Sequence, residues 1–161
     1  MTVISGTQLN EILTKCGFGA VALDVSSEVV GQINGMITDS NEAAMFVAHL
    51  IHECGGFECR EETSSGHIQL TWDDDYLAAS YRIARDDERP VKDPNLCTRV
   101  LQLYWDTRVR PQAGSFTSFC ATTKALHGAL EPSPNHSNTT KRYRYYLKAA
   151  AVLGVVNVAS E

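Results

Sequence analysis

The chain has 161 residues, of which 43% are apolar and 20% are charged. This length and composition are typical of one globular domain, here expected over residues 1–161, and they exclude wholesale disorder. The formal net charge is −5 and the basic residues are scattered except in "KRYRYY", so nucleic acid is not an expected partner and a neutral polymer is more compatible.

Two helices are predicted at the start of the chain. Thr7 is placed to begin the first helix and Gly17 to end it, and Ser26 or Ser27 is placed to begin the second. Apolar residues recur at helical spacing in both segments: Leu9, Ile12, Leu13 and Cys16 in the first, and Val29, Val30, Ile33, Met36 and Ile37 in the second.

The third predicted helix is "NEAAMFVAHLIHE". Asp39 and Glu42 have the spacing of a capping box at its start, and Gly55-Gly56 is expected to end it. Glu53 is therefore expected in the last turn of this helix.

A short β-region is predicted in the middle of the chain, where "HIQLTW" (67–72) alternates between apolar and polar residues with the period of a strand. Helices are predicted on its carboxyl-terminal side. They are "DDDYLAASYRIA" (73–84), "NLCTRVLQLYWDTR" after Asp93-Pro94, "FTSFCATTKALH" capped by Ser115 and ended by Gly128, and a last helix capped by Asn138. The fold class expected is mainly α, with about seven helices and one small β-region.

Neither a membrane span nor a secretory signal is visible in this sequence. The longest apolar stretches, such as "AAAVLGVVNVA", are too short to cross a bilayer, so no membrane partner is expected. The first fifteen residues lack the basic and then apolar segments of a secretory signal. The five cysteines are an odd number, so at least one is unpaired or pairs between chains, and their spacing defines no connectivity.

The stretch His49–Trp72 is unusually rich in His, Glu and Cys and has two competing interpretations. One is a zinc module that uses His49, His52 and Cys54, since zinc prefers Cys and His ligands. The spacing matches no standard zinc motif, and His49 lies next to the apolar face of its helix. A hydrogen-bonded core histidine is therefore favoured, and neither a metal nor a cofactor is expected.

The other interpretation is a pair of catalytic carboxylates. Glycoside hydrolysis needs one protonated acid near the leaving oxygen and one ionised carboxylate. Glu53 lies beside the apolar residues Ile51 and Phe57, where desolvation favours the protonated form of a carboxyl group. Glu61 and Glu62 follow a turn and can face Glu53 across a groove, although glutamates near a loop are more often simply solvated.

Several segments, in their order along the chain, resemble the core of glycoside hydrolase family 19, which contains plant-type chitinases and related phage endolysins. They are "AMFVAHLIHECGGFE", "GHIQLTWDDDY" and "FCATTKALHG", with weaker likeness in "TQLNEIL", "DPNLCTRVLQLYW" and "TTKRYRYYLKAA". The resemblance covers most of the chain. It implies a lysozyme-like, mainly α fold whose β-region lies beside the active-site groove.

The resemblance also implies roles for individual residues. Glu53 matches the family's general acid, and Glu62, nine positions later, matches the second acidic residue of the short endolysin-like branch, with Glu61 as the alternative. Thr71 matches the residue that helps to hold the nucleophilic water. The residues expected to contact sugar are Gln69, Trp72, His127 and His52.

Some positions depart from the family pattern. Ser64-Ser65-Gly66 stands where the family has an Arg-Gly pair, and His49 stands where Gln is common. Trp72 replaces a Gly and either stacks on a sugar ring or belongs to the core, the latter being favoured. His127 replaces an Asn and either donates to an acetamide group or caps a helix end.

The function expected from the resemblance is an inverting, monomeric hydrolase of β-1,4-linked N-acetylglucosamine polymers, secreted or acting on an extracellular wall. Chitin is the first choice of substrate, because an acidic protein is not attracted to anionic walls. The alternatives are a peptidoglycan-cleaving endolysin or muramidase, since the short segment after Glu62 resembles endolysins, and an inactive chitin-binding relative.

Overall fold

The structure, a computed structural model, describes residues 2–57, 94–127 and 137–161. These residues are mainly helical, which confirms the expected fold class. The predicted strand 67–72 and helix 73–84 lie outside the described residues. The α-helices are α1 (Gly6–Lys15), α2 (Leu23–Met36), α3 (Ser40–Glu53), α4 (Pro94–Tyr104), α5 (Arg110–Ala113), α6 (Phe119–His127) and α7 (Ser137–Leu153). Across these three ranges, no helix is both long and apolar enough to span a membrane.

Helix α3 forms the centre of the fold. Eleven of its fourteen residues are buried, as expected for a helix that contacts other elements on nearly all sides. Helix α7 packs along α3, and α4 and α6 also contact it. Asp39 accepts a hydrogen bond from the backbone N–H of Glu42 (2.9 Å) and caps the helix. Both predicted boundaries of α3 are confirmed, and Glu53 is its last residue.

The starts of the first two helices differ from the prediction. Helix α1 is capped by Ser5 rather than Thr7: Ser5 Oγ accepts from the N–H of Gln8 (3.2 Å), and Gln8 Oε1 accepts from the N–H of Ser5 (2.9 Å). This reciprocal capping box satisfies two backbone donors at once. Helix α2 begins at Leu23 without a side-chain cap, and the hydroxyl of Ser26 donates to the Leu23 carbonyl inside the helix (3.1 Å).

Helix α4 begins at Pro94 as predicted, but the helical backbone does not end near Arg108. It continues through a π-helical turn, Trp105–Val109, into α5. Two bonds to Glu42 of α3 hold this turn: Trp105 Nε1 donates to Glu42 Oε1 (2.9 Å), and Arg110 Nε donates to the same oxygen (2.7 Å). The bond to Glu42 raises the pKa of Arg110. Glu42 therefore joins α3 to the π turn.

The starts of α6 and α7 also differ from the prediction. Phe116 has a positive φ of 50°, which interrupts the helix predicted to follow Ser115. Helix α6 begins only at Phe119, where Ser118 Oγ accepts from the N–H of Ala121 (3.4 Å). Helix α7 begins at Ser137, so Asn138 lies inside it.

A disulfide joins Cys54, directly after Glu53, to Cys97 of α4, with Cα atoms 6.6 Å apart. Cys16 and Cys120 are free thiols, and burial raises the pKa of Cys16 to about 11. Because Cys54 is oxidised in the bond to Cys97, the zinc module built on His49, His52 and Cys54 is wrong.

The backbone after α3 turns through three consecutive residues with positive φ: Gly55 (56°), Gly56 (67°) and Phe57 (63°). A Cβ atom built on Gly56 would lie 2.3 Å from ring carbons of Phe18. Position 56 therefore requires glycine for two reasons, the left-handed backbone and the approach of this ring. The turn sets the direction in which the chain leaves Glu53.

We expect Gly56→Ala to lower the free energy of unfolding by about 2–4 kcal/mol, because it adds left-handed strain and overpacks the Phe18 ring. Gly31→Ala is the matched control: Gly31 is exposed within α2, with no atom within 4 Å of an added Cβ. That change should raise stability by about 0.5–1 kcal/mol through helix propensity. Urea unfolding measures both, and equal shifts would contradict the proposed role of the turn.

Candidate active site

Glu53 lies at the carboxyl end of α3, and its side chain is almost fully buried. The residue is 4% exposed. Its Oε1 accepts a hydrogen bond from Nη2 of Arg142 on α7, and the two side chains form an ion pair. The Glu53 side chain is 2% exposed and the Arg142 side chain is 0% exposed. An ion pair removed from water in this way depends on its partners for stabilisation. The ionised form of Glu53 is thus stabilised by Arg142 rather than by solvent.

Arg142 also contacts a second residue of α3. Its Nη1 lies 3.1 Å from Nδ1 of His49. His49 and Glu53 are four residues apart and therefore share one face of the helix. The planar guanidinium has donors on both Nη atoms, so it joins the two side chains from the opposite helix.

The hydrogen bonds around His49 define its protonation state. A guanidinium can only donate, so Nδ1 of His49 must be the acceptor. The hydroxyl of Thr122 donates to the Phe119 carbonyl (2.6 Å) and lies 2.9 Å from Nε2 of His49. The consistent assignment is a neutral imidazole whose Nε2–H donates to Thr122.

The imidazole of His49 is completely buried among aromatic rings. It stacks on the ring of Phe119, with centroids 4.8 Å apart and an interplanar angle of 6°, and it also contacts Trp105. The prediction that His49 is a hydrogen-bonded core histidine is confirmed. Its bonds connect α3 to α6 and α7.

The sequence predicts only the apolar neighbours of Glu53. Ile51 and Phe57 are buried as expected, at 0% and 8% exposure, but the ionic partner Arg142 was missed. A signal for it exists in the sequence of α7. Arg142 occupies the first position of the apolar stripe that continues with Tyr145, Tyr146, Ala149 and Ala150. A charged residue in such a stripe needs a buried partner of opposite charge.

The structure describes only part of the predicted site. His52 is half-buried in the last turn of α3, next to Glu53, and His127 is the last residue of α6. Glu61, Glu62, Gln69, Thr71 and Trp72 lie outside the described residues, so their roles stay predictions. Within ranges 2–57, 94–127 and 137–161, no group of three His, Cys, Asp or Glu side chains is arranged to hold a metal ion.

The sequence is similar to curated plant endochitinases. Endochitinase EP3 from Arabidopsis thaliana is 30% identical over 163 aligned positions, which cover 83% of this chain and 59% of that protein. Acidic endochitinase SP2 from Beta vulgaris is 27% identical, over 73% of this chain and 51% of that protein. A further Arabidopsis thaliana endochitinase is 24% identical, over 71% and 48%.

The chain therefore spans about half the length of the curated relatives that it matches. No family model and no solved structure matches the chain. The similarity to three plant endochitinases nonetheless extends over most of this chain, and it agrees with the resemblance of the segments around Glu53. The comparisons therefore support a relative of the plant endochitinases, in agreement with the resemblance to glycoside hydrolase family 19.

Proposed function

We propose that the protein is an inverting glycoside hydrolase that cleaves β-1,4 linkages between N-acetylglucosamine units, with chitin as its substrate. Glu53 is the general acid that protonates the glycosidic oxygen. Glu62, with Thr71, directs a water molecule to the opposite face of the anomeric carbon. This single displacement requires the two carboxyl groups to be roughly 6.5–9.5 Å apart. Glu62 lies outside the described residues, so this distance stays a prediction.

The observation that carries the proposal is the buried contact between Glu53 and Arg142. A general acid must be held in one orientation, and this contact fixes Oε1 between two packed helices. A protonated carboxyl group keeps acceptor capacity on its carbonyl oxygen. Arg142 can thus hold Oε1 of Glu53 while the other oxygen carries the proton to be transferred.

The same contact affects which protonation state of Glu53 is favoured during the catalytic cycle. Arg142 favours the ionised form of Glu53, which is the form left after proton donation. The guanidinium therefore stabilises the product state of the proton transfer. The burial of Glu53 has the opposite effect, because desolvation favours the neutral carboxyl group, which must regain a proton from solvent after the products leave.

Sugar binding is assigned to Gln69, as the family resemblance implies, with His52, His127 and Trp72 as further predicted contacts. The names of the curated relatives support chitin, since all three are endochitinases. Peptidoglycan also contains N-acetylglucosamine in β-1,4 linkage, alternating with N-acetylmuramic acid. The short segment after Glu62 favours it as the second candidate, because endolysins share that feature.

The test is product analysis on both polymers. We expect the purified protein to release reducing sugars of inverted anomeric configuration from chitin oligomers, and to clear stripped bacterial walls slowly or not at all. Anomer-resolved NMR of the fresh products measures the stereochemistry. Clearing of walls without chitin products would move the substrate assignment to peptidoglycan. Binding of chitin oligomers without products from either polymer would identify an inactive, sugar-binding relative.

A further inference from the structure

His49 occupies a buried polar position that the proposed mechanism does not use. It lies one helical turn before Glu53, is completely buried, and touches the guanidinium of Arg142. A leucine would fill a similar volume at this depth without any need for hydrogen bonds. Burial of an imidazole costs free energy unless both nitrogens are satisfied, and here both are.

We propose that His49 is a positioning residue for the reaction: as a neutral Nε2–H imidazole, it fixes the guanidinium of Arg142 so that Nη2 is directed at Oε1 of Glu53. This inference rests on the proposed role of Glu53 as the general acid. His49 does not contact the substrate in this scheme. It acts through Arg142, and the network extends from Glu53 to the Phe119 carbonyl.

The direction of each hydrogen bond supports this role. Thr122 uses its proton on the Phe119 carbonyl at 2.6 Å, which leaves its oxygen lone pairs to accept from His49 Nε2–H. That bond selects the tautomer with an unprotonated Nδ1. Nδ1 is then the acceptor for Arg142 Nη1, and the stacked ring of Phe119 sets the plane of the imidazole.

The charges around His49 favour the same neutral state. Among the described residues, the charged group in contact with His49 is the Arg142 guanidinium of α7, which in turn pairs with Glu53. Helix α6 contributes the uncharged residues Thr122 and Phe119, and the π turn contributes Trp105. A proton on Nδ1 would place a second positive charge about 3 Å from the guanidinium, and like charges at this distance disfavour each other.

Two substitutions separate positioning from core packing. His49→Gln keeps an acceptor oxygen for Arg142, whereas His49→Leu keeps volume and removes the acceptor. We expect kcat on chitin oligomers to fall about ten- to a hundredfold in His49→Leu, with KM nearly unchanged, because a small displacement of Glu53 affects proton transfer more than binding. His49→Gln should recover most of the lost kcat. Equal losses in both variants would overturn the proposal.

Nitrogen-15 NMR tests the same inference without any substrate. The wild type should show the neutral Nε2–H tautomer at His49, and restricted rotation of the Arg142 guanidinium, seen as separate Nη resonances. His49→Leu should average these resonances and His49→Gln should keep them separate. An Nδ1–H tautomer, or a guanidinium equally restricted in His49→Leu, would overturn the inference. Absence of hydrolysis in the wild type would overturn the proposed function and the catalytic consequence of His49, whereas the NMR result decides separately whether His49 orients Arg142.

Discussion

Glu53→Gln is expected to abolish turnover on chitin oligomers while leaving oligomer binding nearly unchanged. A positioned general acid contributes about 10²–10⁴-fold to the rate, and glutamine cannot donate the proton. The amide oxygen of glutamine still accepts from Arg142, so the fold should persist, with reduced stability because the buried guanidinium loses its anionic partner. The measurements are kcat and KM from a reducing-sugar assay, with binding of chitin oligomers followed by calorimetry.

Glu42→Gln provides the matched control for this experiment. Glu42 lies on the same helix, is also buried, and also binds an arginine, Arg110. It is eleven residues before Glu53, about 16 Å along the helix axis. Glu42→Gln should reduce stability while preserving turnover. Loss of turnover in both variants would mean that α3 tolerates no neutral replacement, and full activity of Glu53→Gln would refute the proposed mechanism.

The helices could be predicted from the sequence more reliably than their starting residues. Helix α3 was predicted with both boundaries because Asp39, Gly55 and its apolar spacing are all local signals. The predicted starts of α1 and α2 were wrong for different reasons. A capping box at Ser5 took precedence over Thr7, whereas α2 begins at Leu23 with no capping side chain. Tertiary packing supports such a start, and local sequence does not reveal it.

In the candidate site, likewise, residues marked by local sequence signals could be predicted, whereas contacts between residues far apart in the sequence could not. Glu53 could be proposed as the general acid because its helix, its glycine stop and its family motif are contiguous in the chain. Arg142 is 89 residues away and contacts Glu53 only because α7 packs along α3. The same holds for Thr122, which reaches His49 across 73 residues. Residue spacing carries no direct information about such contacts, although a charged residue in an apolar stripe marks where one is needed.

The ion pair between Arg142 and Glu53 is expected to produce the largest change in stability. Arg142→Met keeps apolar bulk but leaves the carboxylate buried without its cationic partner. Removing one member of a buried pair costs about 3–5 kcal/mol, a large part of the total stability of a domain, which is about 5–15 kcal/mol. Urea unfolding at neutral pH measures this loss.

A second substitution and a change of pH separate the ion pair from simple packing. In the double variant Arg142→Met with Glu53→Gln no unpaired charge remains, so much of the lost stability should return, and the two changes should be strongly non-additive. The loss in Arg142→Met should also be smaller at acidic pH, because the buried carboxyl group can take up a proton and become neutral, which removes the unpaired charge. A loss that is independent of pH and additive with Glu53→Gln would show that Arg142 contributes only its bulk. The orientation of Glu53 would then have to come from other contacts.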